Sequence, residues 1–128
     1  MSDQTASQSQ TIDPYEFLQI APNSDGTITH LHHDPKISPT SDPNLLISVI
    51  SKDITINQSN DTYVRIFLPR KALDHASSDY HKLPLIVYFH GGGFLFCTAS
   101  SKMFHEFCSN MANDTQAVVA FVNYRLAP

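Results

Sequence analysis

The residues with the clearest chemical potential are His90-Gly91-Gly92-Gly93-Phe94. Each glycine gives up more backbone entropy on folding than any other residue. In return, three consecutive N–H groups are uncovered by side chains and can turn toward a developing negative charge. The reaction that needs such donors is acyl transfer, in which a carbonyl oxygen becomes a tetrahedral oxyanion. Preorganised backbone donors at about 2.7–3.1 Å stabilise that oxygen, and losing one costs roughly 10²–10³ in rate. His90 reads as a positioning residue that braces the loop by hydrogen bonding, not as a general base. A glycine run in isolation is equally a flexible turn after a strand. The surroundings argue against that: an apolar run before it, a histidine at the strand end, Phe94 after it, and a strand-helix-strand pattern built around it.

Those flanking elements must hold the loop. Leu85-Ile86-Val87-Tyr88-Phe89 is apolar at every position, which predicts a strand covered on both faces. Beyond the glycines, Ser100 or Ser101 can cap a helix. Phe104, Phe107, Cys108 and Met111 then recur at i, i+3, i+4 and i+7, one apolar face at helical period, with Asn113 as the expected stop. Ala117 to Val122 is a second continuous apolar run. Strand, helix and strand predict a right-handed βαβ unit in a parallel sheet. The run at 117–122 is expected to form an exposed edge, which is an aggregation hazard.

Upstream, the alternation near 48–56, the polar turn Asn57–Asp61 and the run Tyr63–Leu68 predict an antiparallel hairpin. Pro69 ends it, because proline cannot donate to the ladder. Earlier still, Asp13-Pro14 opens a short helical stretch from Tyr15 to Ile20, with an acid at the N-cap and proline at the first helical position. Asp25-Gly26 marks a turn, followed by a short strand at Thr27-Ile28-Thr29. The Pro-, Ser- and Asp-rich stretch from Asp34 to Pro43 reads as a linker. The organisation implied is a disordered N-terminus over 1–12, a lid or cap segment with linker over 13–44, and a partial α/β core over 45–128.

At 128 residues the chain has room for one domain at most, on a prior of roughly 100–200 residues per domain. Its 41% hydrophobic content suffices for a core, with Phe and Tyr supplying bulk in the absence of Trp. The net charge of −4 comes from scattered acids with no basic stripe, so neither nucleic acid nor an anionic membrane is an expected partner. Cys97 and Cys108 read as reduced core thiols, because no paired framework or ligand spacing is present. Met1–Gln10 has neither the basic nor the apolar region of a secretory signal. No apolar stretch approaches the roughly 18 residues of a membrane span. The expectation is a soluble protein of the cytoplasm or nucleus, in which the sequons at Asn57, Asn60 and Asn113 carry no meaning. A metal module at His30, His32, His33 and Asp34 is a rival reading. Adjacent His32 and His33 would point to opposite sides of an extended segment, whereas a structural zinc needs ligands that converge. A solvated polar loop without metal is the expectation there.

The stretch Leu83-Pro84-Leu85-Ile86-Val87-Tyr88-Phe89-His90-Gly91-Gly92-Gly93-Phe94 closely resembles the corresponding part of plant carboxylesterases, in the hormone-sensitive-lipase-like branch of the α/β-hydrolases. An HGGG loop after the third strand is the oxyanion-hole signature of such esterases and lipases. Asn123-Tyr124-Arg125-Leu126-Ala127-Pro128 is similar to a second hallmark of that branch. The hairpin near 48–68, Phe104-His105-Glu106-Phe107-Cys108, Asp13-Pro14-Tyr15 and Asp25-Gly26-Thr27-Ile28-Thr29 also resemble it in matching order. The resemblance implies the N-terminal part of an α/β-hydrolase fold. It also implies a cofactor-independent enzyme that hydrolyses short or aromatic carboxylic esters through a Ser-His-Asp triad. Carried over by position, Gly91, Gly92 and Gly93 would form the oxyanion hole, and Phe94 and Leu95 would border the acyl pocket. The helix carrying Phe17 would belong to a lid, and Arg125 would brace the turn after the fourth strand. Hydroxyisoflavanone-dehydratase-like relatives carry Thr at the position of Gly91, and gibberellin-receptor-like relatives tend to carry Ser at that of Gly93. Glycine at both places favours the esterase branch.

The only glycines are Gly26, Gly91, Gly92 and Gly93, so no G-x-S-x-G nucleophile elbow is present. In this fold the triad follows the loop in the order Ser, Asp or Glu, His, and no histidine follows His105. The expectation is the N-terminal part of an esterase, inactive and poorly stable by itself. The alternative is a non-catalytic, receptor-like or regulatory relative.

Overall fold

The computed structural model describes residues 11–42, 44–74 and 82–128. Residues 1–10 of the expected disordered N-terminus, Pro43 and residues 75–81 lie outside that description. The chain divides into two compact units, one reaching to His33 and including Pro128, the other spanning Asp34–Ala127.

In the first unit, helix α1 (Pro14–Leu18) starts where Asp13 accepts the Tyr15 N–H at 3.0 Å and ends at Gln19 in the left-handed conformation. Strands β1 (Ile20–Pro22) and β2 (Ile28–His30) pair antiparallel around the Asp25-Gly26 turn. There the Asp25 carboxylate accepts both the N–H and the hydroxyl of Thr27. The sequence predicts the second strand of this pair; the first follows the short helix directly, too brief to show a periodicity.

The second unit is built on a four-stranded sheet in the order β3-β4-β6-β5. Strands β3 (Val49–Asn57) and β4 (Thr62–Pro69) form the expected antiparallel hairpin. A single helical turn, α2 (Lys71–Asp74), follows. Strands β5 (Leu85–Phe89) and β6 (Val118–Asn123) run parallel, joined by α3 (Lys102–Thr115), and β6 also pairs antiparallel with β4. Register places Phe67, Val119 and Ile86 in one row across the sheet, and Arg65, Phe121 and Tyr88 in the next. Helix α3 packs Cys108 and Ala112 into this face, with Phe104 and Met111 at its margin. Taking each of Phe67, Val119 and Phe121 out of water is worth about 1.5–3 kcal/mol.

Several expectations need correction. First, β5 is not covered on both faces: Leu85, Val87 and Phe89 are 63%, 53% and 60% exposed. The single helix α3 covers one face only, and among the described residues nothing lies over the other. Second, the edge is not the run at 117–122. The β4–β6 pairing puts β6 inside the sheet, so β3 and β5 are the edges. Third, the segment after Asp34 is not a loose linker. Its backbone bonds Ser100, Lys102 and Ser51, and the carbonyl of Ile37 accepts from Arg65. Helix α3 also runs two residues past Asn113, to a left-handed Gln116.

Candidate functional site

The glycine loop leaves the end of β5 beside the end of β6, because these two strands are parallel neighbours. His90, 4% exposed, is its anchor. Its imidazole stacks on the Tyr124 ring with centroids 4.4 Å apart and planes 12° from parallel, and meets Phe121 edge-on. The His90 Nδ1 lies 2.7 Å from the Gly91 carbonyl, so this nitrogen carries the proton and donates. Its Nε2 is buried without a hydrogen-bond partner among the described residues. The Tyr124 hydroxyl donates to the His90 carbonyl at 2.6 Å. Burial pushes the Tyr124 phenol above its ordinary value, which keeps it a donor.

The three glycines are not equivalent. Gly92 sits at φ +123°, and a Cβ there would stand 2.4 Å from the carbonyl oxygen of Phe96. That carbonyl approaches because the N–H groups of Leu95 and Phe96 both turn back to the Gly92 oxygen, at 3.1 and 3.0 Å. Gly93 sits at φ +62° with open space around it, a conformation that costs an L-residue about 1–2 kcal/mol. Gly91 has neither constraint. The need for glycine is therefore both steric and conformational at 92 and conformational at 93. Phe94 and Cys97 also take positive φ, at 61° and 71°. The Phe94 carbonyl accepts the Ala127 N–H at 2.8 Å, while its ring, 68% exposed, meets Tyr124 edge-on. Among the described residues, no hydrogen bond draws on the N–H of Gly91, Gly92 or Gly93. These N–H groups are available as backbone donors.

The loop's far side is tied to β6 by Asn123, whose buried amide accepts from Ala99 N–H and donates to the Asp61 carbonyl, both at 2.8 Å. Ser101 heads α3 without capping it. Its hydroxyl accepts the Thr98 N–H and donates to Asp34. A recess of about 220 Å³ opens beside Tyr124, lined by Asn60, Asp61, Thr98, Asn123, Arg125 and Leu126. Of the residues singled out from sequence, His90, Gly91, Gly92, Gly93, Phe94 and Leu95 share this one loop. Phe17 is exposed in the first unit, and Arg125 is exposed after β6. Tyr124 and Asn123 went without a role; their signal was the Asn123–Pro128 motif itself. Among the described residues, no group of three or more His, Cys, Asp or Glu could hold a metal ion, and no helix is long and apolar enough to cross a membrane.

Residues 86–128 match the family model described as alpha/beta hydrolase fold. The chain is 44% identical to Carboxylesterase 20 of Arabidopsis thaliana over 117 residues, which is 91% of this chain and 36% of that protein. It is 47% identical to the Arabidopsis thaliana protein named Probable carboxylesterase 8 over 116 residues, 91% of this chain and 31% of that one. The chain thus spans about a third of the length of the curated relatives it matches. Among solved structures, a brefeldin A esterase, a bacterial homologue of human hormone sensitive lipase, superposes with a TM-score of 0.50 at 24% identity, covering 73% of this chain and 24% of that one. With its mixed sheet, its βαβ unit and its likeness to plant carboxylesterases, the chain carries part of the α/β-hydrolase fold.

Proposed function

We propose that the loop at 91–93 is the oxyanion hole of a carboxylic-ester hydrolase. The observation that carries this reading is the set of three N–H groups on a glycine backbone at the end of a strand, uncommitted among the described residues. In the reaction a serine hydroxyl gives its proton to a general base, which later passes it to the leaving alcohol, and adds to the ester carbonyl carbon, whose oxygen takes up the negative charge. The loop donors stabilise that charge before the alcohol leaves. Phe94 and Leu95 border the acyl side, the helix carrying Phe17 serves as lid, and the substrate is a small-molecule ester, taken without metal or organic cofactor. The protein works in the cytoplasm or nucleus. The attacking serine lies outside these 128 residues, because no G-x-S-x-G occurs in them.

A chimera in which this chain replaces the matched segment of Carboxylesterase 20 tests the reading. It is expected to hydrolyse a nitrophenyl ester, with turnover blocked by a serine-directed inhibitor. A folded chimera that leaves the ester intact would overturn the proposal and favour a non-catalytic, receptor-like role. The 128 residues alone are expected to show no inhibitor-sensitive turnover.

A further inference from the structure

We propose that Tyr124 is a positioning residue that, together with His90, sets the direction of the Gly91 and Gly92 N–H groups. The proposal rests on the oxyanion-hole reading above and adds a residue to it. A peptide unit is planar and trans, so a carbonyl and the N–H that follows it point in opposite directions. The His90 carbonyl is held by the Tyr124 hydroxyl at 2.6 Å, which turns the Gly91 N–H away from Tyr124. The Gly91 carbonyl is held by His90 Nδ1 at 2.7 Å, which turns the Gly92 N–H away from the imidazole. Both anchors belong to one stacked pair of rings, 4.4 Å apart. The two N–H groups therefore face the side opposite that pair.

A glycine loop without such anchors would have freely rotating peptide planes. Here the freedom that Gly92 and Gly93 need for their positive φ is offset by fixing the two preceding carbonyls, one by Tyr124 and one by the His90 ring. Tyr124 is well placed to do this because it follows β6 directly, and β6 is the parallel neighbour of the strand that feeds the loop. The Tyr124 hydroxyl oxygen also lies 3.3 Å from His90 Nδ1, as a second, longer acceptor for the proton that nitrogen gives the Gly91 carbonyl.

The test uses the ¹⁵N-labelled chain in an aligned medium, where residual dipolar couplings report N–H direction, together with titration by butyrate, a short carboxylate. In the unaltered protein, butyrate is expected to shift the amides of Gly91 and Gly92. Tyr124→Phe keeps the ring and removes the hydroxyl. It is expected to change the couplings of Gly91 and Gly92, leave those of Val119 and Phe121 in place, and weaken the butyrate response roughly two- to tenfold, the worth of one hydrogen bond. Unchanged Gly91 and Gly92 couplings in a folded Tyr124→Phe protein would overturn the proposal. If butyrate leaves the unaltered loop untouched, the oxyanion-hole reading fails, and the couplings alone decide whether Tyr124 orients the loop. Should Tyr124→Phe fail to fold, His90→Asn and His90→Leu decide. Asn places an amide donor where Nδ1 stood and is expected to retain the Gly92 coupling, which Leu loses; equal couplings in the two would overturn the proposal.

Discussion

The guanidinium of Arg65 takes both carboxylate oxygens of Asp53, at 2.7 and 2.8 Å, across a directly opposed pair of the β3–β4 hairpin. Arg65 is among the most deeply buried side chains, and its remaining nitrogen reaches the Ile37 carbonyl and His105 Nδ1. One cation thereby joins the hairpin, the segment after Asp34 and the helix α3.

Removing the carboxylate leaves that cation buried without its charge partner. Asp53→Ala is expected to lower stability by about 3 kcal/mol. The double substitution Asp53→Leu with Arg65→Met should recover much of the loss. Urea unfolding of the three proteins checks this, and a double variant as weak as Asp53→Ala would contradict it.

Stability should depend on acid through His105. Burial first, and then the Arg65 guanidinium, hold its imidazole below the ordinary value, with Asp53 and Glu106 pulling weakly the other way. The unfolded chain therefore binds the extra proton. The contribution of His105 is intact above the unfolded value of about 6.5 and is lost as pH falls through the folded value. The urea midpoint should drop on acidification below neutral pH. It should drop less in His105→Asn, which keeps an acceptor for Arg65 but does not titrate.

The glycines should separate when each is replaced by alanine. Gly91→Ala is expected within about 0.5 kcal/mol of the original stability, and Gly93→Ala about 1–2 kcal/mol below it. Gly92→Ala should cost the most, because its Cβ meets the Phe96 carbonyl, which is backbone and can yield only if the loop moves. Melting curves of the three variants give the order.

The two cysteines should react unequally. Burial pushes the Cys108 thiol up to about 12, and the Cys97 thiol is also raised, by burial and then by Asp34. Alkylation near neutral pH, followed by mass spectrometry, should label Cys97 slowly and Cys108 only when denaturant is present. Both are free thiols in the fold.

Strand β5 should govern self-association. Its exposed face presents Leu85, Val87 and Phe89, and its outer edge is unpaired among the described residues, the kind of surface that templates strand addition. Val87→Lys is expected to shift sedimentation toward the monomer. Association unaffected by that change would place the contact elsewhere.

The sequence by itself determined the hairpin, the strand-helix-strand unit and the location of the glycine loop between them. These are written in local periodicity and turn chemistry, which a dozen residues suffice to carry. The tertiary structure alone decided the strand order, and with it the shift of the edge from β6 to β5, because an apolar run does not name its partner. It also decided how the segment after Asp34 is held, since backbone bonds to Ser51, Ser100 and Lys102 leave no trace in composition. The site follows the same division. The position of the glycines was legible, but which of them must be glycine depends on φ and on the approach of Phe96. That Tyr124 meets His90, 34 residues away in the chain, depends on β5 and β6 lying side by side, a long-range pairing that no local pattern encodes.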